Sequence, residues 1–165
     1  MFFYYHHLYI KVKEYFCSIL IIWNLSYRKE EQETMSKIKV CYFSPTGGTL
    51  QVAKHLAESM SKKLCVEVEY HSYTLPRERE VMPVFDAGDV VVWATPVYAG
   101  RIPNKTLDYV RNALHGNGNL SVALVTFGNR AYDNALAELV GLMEDAGMRP
   151  LGAAAMVTRH VFSDT

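Results

Sequence analysis

The segment Ser44-Pro45-Thr46-Gly47-Gly48-Thr49 packs three hydroxyl side chains and two adjacent glycines into six residues. That density suits an anion. Glycine lets the main chain come close to a ligand, and the free N–H groups at a helix start point outward at a negative charge. No Lys or Arg lies in the segment, so backbone dipoles would have to hold the charge, as they do in a nest. The segment matches neither G-x-x-x-x-G-K-[ST] nor G-x-G-x-x-G. The plainer reading is a Gly-rich turn with Thr49 as a helix N-cap. A position between a strand and a helix favours the phosphate reading.

Two more segments carry an aromatic near the tip. They are Thr95-Pro96-Val97-Tyr98-Ala99-Gly100-Arg101-Ile102-Pro103-Asn104 and Gly128-Asn129-Arg130-Ala131-Tyr132-Asp133-Asn134. A lone tyrosine there is ordinary surface packing. Two of them beside a phosphate loop point to a flat ring system joined to a phosphate. Arg101 and Arg130 either stabilise an anionic ring or are simply solvated. The remaining candidates read as structural: Cys41 as a buried small hydrophobe, Cys65 as the start of a strand, and His55 and His71 as surface residues. The run Arg77-Glu78-Arg79-Glu80 reads as a solvated loop or short helix. With three scattered cysteines and no C-x-x-C, a structural zinc, a cysteine-ligated cluster and a disulfide framework are all disfavoured.

The elements that must position these loops alternate along the chain. Ile38 to Phe43 reads as a strand. Leu50, Ala53, Leu56, Ala57 and Met60 recur at helical spacing. Val66, Val68 and Tyr70 alternate with polar residues, which suits a half-exposed edge strand. Residues 74–87 read as irregular. Asp89 to Thr95 and Ser121 to Phe127 are near-continuous apolar strands. Leu107, Val110 and Leu114 mark a helix, as do Leu136, Leu139, Val140 and Met143, the latter ended by Gly147. Ala153 to Thr158 is a last strand. Unbroken apolar strands separated by helices predict an α/β fold, a three-layer doubly wound parallel five-stranded sheet in the order 2-1-3-4-5. All three loops then leave carboxyl ends of strands, where such sheets bind ligands.

Composition bounds the rest. The 165 residues fit one domain, with 50% hydrophobic and 21% charged residues. Seventeen Lys and Arg balance seventeen Asp and Glu, which argues against a broad nucleic-acid surface. Residues 1–34 hold nine of the twenty aromatics, but their apolar run from Tyr15 to Trp23 falls far short of the roughly 20 residues of a membrane span. They are expected to lie outside the fold, as a disordered arm or as a leader preceding a true start at Met35. An aromatic segment lying on a membrane surface or a partner is the alternative. The composition suits a reduced, cytoplasmic protein.

The loops YFSPTGGT, TPVYAGRIPN and TFGNRAYDN resemble those of flavodoxin-like proteins, and most closely the flavodoxin half of flavodoxin–ferredoxin fusion proteins, from about Lys37 to Thr165. The resemblance implies FMN as cofactor. Ser44, Thr46, Gly47, Gly48 and Thr49 would hold its phosphate. Thr95, Pro96, Val97, Tyr98 and Gly100 would border the isoalloxazine, and Phe127, Gly128, Asn129, Tyr132 and Asp133 would cover its other side. A carbonyl at Gly100 or Ala99 would meet the flavin N5–H. The implied function is electron transfer between redox partner proteins, a ferredoxin among them. The alternatives are an FMN-dependent NAD(P)H or quinone oxidoreductase and a truncated, non-catalytic module. The chain departs from the family in its neutral charge and in lacking the cysteines of the fusion partner. It also stops soon after the last strand, so residues 35–165 are expected to form a flavodoxin-like domain cut short at its C-terminus and lacking its last helix.

Overall fold

A computed structural model of the chain describes residues 35–128 and 131–158. The expectations for residues 1–34, and for a last helix after residue 158, lie outside the described residues.

Five strands form one parallel sheet: β1 (Lys37–Tyr42), β2 (Glu67–Ser72), β3 (Val90–Pro96), β4 (Leu120–Phe127) and β5 (Arg149–Val157). Their order is β2-β1-β3-β4-β5, the expected one. The three helices are α1 (Gly48–Leu64), α2 (Asn104–Ala113) and α3 (Ala135–Asp145). Residues Pro76–Glu80 make a single 3₁₀ segment inside the stretch read as irregular.

The alternation of side chains along each strand splits the core in two. Ile38, Val40, Val92, Val122 and Leu124 face α1, packing with Ala53, Leu56, Ala57 and Met60. Cys41, Val91, Trp93, Ala123 and Val125 face the other way, against Val110 and Ala113 of α2 and Leu139 and Met143 of α3. Burying each large apolar side chain contributes about 1.5–3 kcal/mol, so a strand apolar on both faces is stable only with helices on both sides. The central strand β3, VVVWATP, is buried along six of its seven residues. The edge strand β2 has no fully buried residue.

Two local readings are corrected. Cys65 does not begin β2; it caps α1 in the left-handed region (φ 56°), and its N–H donates to Ser61 O at 2.8 Å. His71 is half-buried, with Nε2 2.9 Å from the Tyr109 hydroxyl. It turns inward because the sheet face on that side is covered by Tyr109 of α2.

Candidate functional site

The first loop follows β1 and opens α1. Gly47 sits at φ +83°, with open space where a Cβ would be, and a Gly47 N–H to Ser44 O bond of 3.3 Å closes the turn. An L side chain pays about 1–2 kcal/mol for that conformation, which accounts for glycine there. Gly47, not Thr49, is the N-cap of α1. The capping hydrogen bond comes from further back: Ser44 Oγ accepts from the Leu50 N–H at 3.0 Å. Ser44 N–H in turn donates to Thr74 Oγ1 at 3.0 Å, which anchors the loop on the chain leaving β2. Thr49 is buried, and its Oγ1 lies 2.7 Å from Thr126 Oγ1. Of the three hydroxyls, Thr46 is exposed, Ser44 is half-buried with its own proton left to donate, and Thr49 is spent inside.

The N–H groups of Thr46, Gly48 and Thr49 have no hydrogen-bond partner among the described residues. Such groups at a helix start carry the positive end of the macrodipole. This corner fits a phosphate by its own donors. Sequence reasoning missed Thr158, whose Cβ lies 3.5 Å from where a Gly48 Cβ would stand. Its N–H donates to Phe127 O at 2.8 Å, and this brings a hydroxyl residue of the chain leaving β5 beside the corner. The signal was present in the last strand's terminal threonine, but only the sheet order brings it there.

The second loop is a tight hairpin. Tyr98 N–H donates to Arg101 O at 3.0 Å and Arg101 N–H to Tyr98 O at 3.1 Å. Ala99 (φ 51°) and Gly100 (φ 77°) both have positive φ, the signature of a type I′ turn. Tyr98 is 49% exposed at the tip, its ring edge-on to Phe43 at a centroid distance of 6.4 Å. Thr95 is fully buried and Pro96 half-buried, forming the floor below the hairpin. Val97 N–H donates to Thr126 O at 2.8 Å.

The third loop meets the second. A Cβ at Gly100 would run into the Asp133 carboxylate, whose own Cβ would lie 2.9 Å away. Asn134 N–H donates to Gly100 O at 3.2 Å. Glu138 on α3 receives Arg101 through both oxygens, Nε to Oε2 at 2.9 Å and Nη2 to Oε1 at 2.6 Å, and also accepts from Ile102 N–H at 3.1 Å. These bonds, with the Arg101 bond first, hold the Glu138 carboxyl below its ordinary pKa. Sequence reasoning left Glu138 out because it reads as an ordinary polar helix position. Arg101, one of the two arginines considered for an anionic ring, is engaged by Glu138. Tyr132 is half-buried, its ring 5.3 Å from that of Phe127, and Gly128 follows directly. Asn129 and Arg130 lie outside the described residues.

The charged run after β2 is not simply solvated. Arg79 is half-buried and donates to the carbonyls of Tyr73 (2.9 Å), Thr74 (2.9 Å) and Lys105 (3.3 Å), with its guanidinium 5.6 Å from the Phe43 ring centre. Glu78 Oε2 accepts from Ser72 Oγ and from Leu75 N–H. Carbonyls left unpaired just past β2 recruit the Arg79 guanidinium, and the free Leu75 N–H and Ser72 hydroxyl recruit the Glu78 carboxylate. The result ties the turn under the first loop to the start of α2.

The three loops therefore converge at the carboxyl ends of β1, β3 and β4, around the point where the strand order reverses. Among the described residues, no group of His, Cys, Asp and Glu is placed to hold a metal. Nor is any helix long and apolar enough to cross a membrane.

Comparison with known proteins agrees with this arrangement. A family model described as a flavodoxin domain matches residues 39–143. A flavodoxin from Streptococcus pneumonia TIGR4 superposes with a TM-score of 0.54 at 18% identity, over 75% of this chain and 84% of that one. A flavodoxin from the domain Archaea superposes with a TM-score of 0.52 at 17% identity, over 78% of this chain and 87% of that one. At these identities the likeness is one of fold. No functionally curated protein matches the chain significantly.

Proposed function

Because this chain belongs to the flavodoxin domain family, we propose that it binds FMN across its three loops and passes electrons between partner proteins. The observation that carries this reading is the set of N–H groups at Thr46, Gly48 and Thr49 that have no hydrogen-bond partner among the described residues, beside two loops that each carry a tyrosine. When bound, FMN supplies the redox chemistry. The protein's part is to bind, orient and shield it. The N–H groups of the first loop, with the Thr46 and Ser44 hydroxyls, hold the phosphate. The 96–100 hairpin would border one side of the ring, and Phe127, Gly128, Tyr132 and Asp133 would border the other. Gly100 O is engaged by Asn134 N–H, so Ala99 O is the carbonyl left to meet a ring N–H.

The exposed Tyr98 would leave a ring held against it within reach of a partner protein. The resemblance of the three loops to the flavodoxin half of the fusion proteins favours a ferredoxin as the partner class, in the cytoplasm. The test is purification followed by titration with FMN and with riboflavin. The expected result is a yellow protein, or one that takes up FMN, with FMN held more tightly than riboflavin because only FMN offers a phosphate to the first loop. Colourless protein that quenches neither flavin's fluorescence overturns the reading. Steady turnover of NAD(P)H with a quinone would shift it from carrier to reductase.

A further inference from the structure

Behind Tyr98 stands a column of aromatic rings that the flavin reading does not use. Tyr98 meets Phe43 edge-on at 6.4 Å, and Phe43 stacks on Tyr73 at 5.9 Å with 25° between planes. Tyr73 stacks on Tyr109 at 5.1 Å with 24° between planes, and Trp93 lies beside Tyr73 at 5.3 Å. The Trp93 indole N–H donates to the Tyr73 hydroxyl at 2.8 Å. The column ends at the edge strand, where the Tyr109 hydroxyl lies 2.9 Å from His71 Nε2 and 3.2 Å from Val81 O. One end is therefore the exposed tyrosine of the ring-bordering hairpin, and the other is a phenol paired with an imidazole.

We propose that Tyr98, Tyr73 and Tyr109, bridged by Phe43, form a one-electron relay that carries an oxidising equivalent from the hairpin tip to the Tyr109–His71 pair.

The electrons and protons balance as follows. A one-electron oxidant at the tip, of the class of a light-excited flavin, takes one electron from Tyr98. Tyr73 refills Tyr98 across the Phe43 ring, and Tyr109 refills Tyr73 across their stacked faces. Tyr109 ends one electron short; its hydroxyl, which donates to Val81 O at 3.2 Å in the resting chain, turns to His71 Nε2, 2.9 Å away, and passes its proton there, leaving a neutral phenoxyl and an imidazolium. An exogenous thiolate then returns one electron and leaves as a thiyl radical, two of which pair to a disulfide in solution, while His71 returns the proton. An oxidised phenol loses its proton readily only where a base is in hydrogen-bond reach, and among these tyrosines only Tyr109 has an imidazole there. Burial keeps the Tyr109 phenol protonated, its pKa raised to about 12, and pushes the His71 pKa down, so that the imidazole is neutral and able to accept. Tyr73 is fully buried, and its hydroxyl faces Trp93 N–H and, at 3.4 Å, Ala94 O. It therefore transmits charge without a base to trap it. The relay diverts oxidising damage from the ring pocket to a site beside the exposed Val81.

The relay belongs to the protein's own rings, so its test needs no bound nucleotide. The full chain is oxidised in solution by flash-quenched tris(bipyridine)ruthenium with persulfate as the electron acceptor. Tyrosyl radicals are then followed by transient absorption and by paramagnetic resonance of frozen samples. The expected result is a long-lived radical with the spectral signature of a phenoxyl hydrogen-bonded to imidazole. It should be lost in Tyr109→Phe and formed several-fold more slowly in both Tyr98→Phe and Tyr73→Phe. Phenylalanine keeps each ring, so these variants retain the packing, and circular dichroism checks that they do. A long-lived radical unchanged in Tyr109→Phe overturns the proposal. So does one lost in Tyr109→Phe but formed at the same rate without Tyr98 or Tyr73.

Discussion

The hydroxyls of Thr49 and Thr126 lie 2.7 Å apart, buried, and join the first turn of α1 to the end of β4. The contact fixes the helix start, and with it the N–H groups of the anion corner, relative to the two strands that carry the other loops. Thr126→Val keeps the shape and leaves the Thr49 hydroxyl buried without this partner. The expected cost is about 1–3 kcal/mol, read as a lower midpoint in urea denaturation. Thr49→Val with Thr126→Val should recover part of that loss, because no orphaned hydroxyl remains. FMN affinity should fall in the single variant, measured by fluorescence quenching.

Glu138 holds the hairpin through Arg101 and the Ile102 N–H. Its folded pKa lies below the ordinary 4.5, so its contribution to stability is fully present above that value and is lost as pH falls through the folded pKa. Amide exchange at residues 98–102 should speed up on acidification through this range, after correction for intrinsic rates. Glu138→Gln should show the faster exchange already at neutral pH. Arg101 is largely exposed, so solvent screening should leave global stability almost unchanged. Equal protection in Glu138→Gln and the parent chain would remove the clamp.

Gly100 has φ +77° and no room for a Cβ against Asp133. Gly100→Ala should cost about 1–2 kcal/mol from the backbone alone, with a further penalty from the contact. Asp133→Gly in the same chain should return the second part and not the first, measured by urea denaturation of all four variants. Once flavin-loaded, Gly100→Val should also shift the midpoint potentials, because the Ala99–Gly100 peptide can no longer turn. Unchanged potentials would dismiss that peptide's role.

Cys41 is buried in β1, and desolvation pushes its thiol pKa well above the ordinary 9.0. The thiolate is the reactive form, so Cys41 should resist a disulfide reagent in the native protein and react only on unfolding. Cys65 is exposed and should react at once. Peptide mapping after timed labelling reads both. Rapid native labelling of Cys41 would contradict its burial.

The fold was legible in the sequence because its signals are local and periodic. The near-continuous apolar runs at 89–95 and 121–127, rich in valine and bounded by turn residues, read as strands buried on both faces. The alternation at 66–71 can only sit at an edge. Those runs, with the glycines at 47 and 100, also put the three loops at the carboxyl ends of the strands, where the proposed flavin site lies. What the tertiary structure decided is the use of each polar group. Ser44, Thr46 and Thr49 are equivalent as text, yet one caps the helix, one faces outward and one is spent on Thr126. Arg79 and Glu138 look like solvated charges until the carbonyls just past β2 and the 98–101 hairpin meet them. Hydrophobic period is a property of neighbours along the chain. A hydrogen-bond partner dozens of residues away is fixed only once the strands are ordered in space.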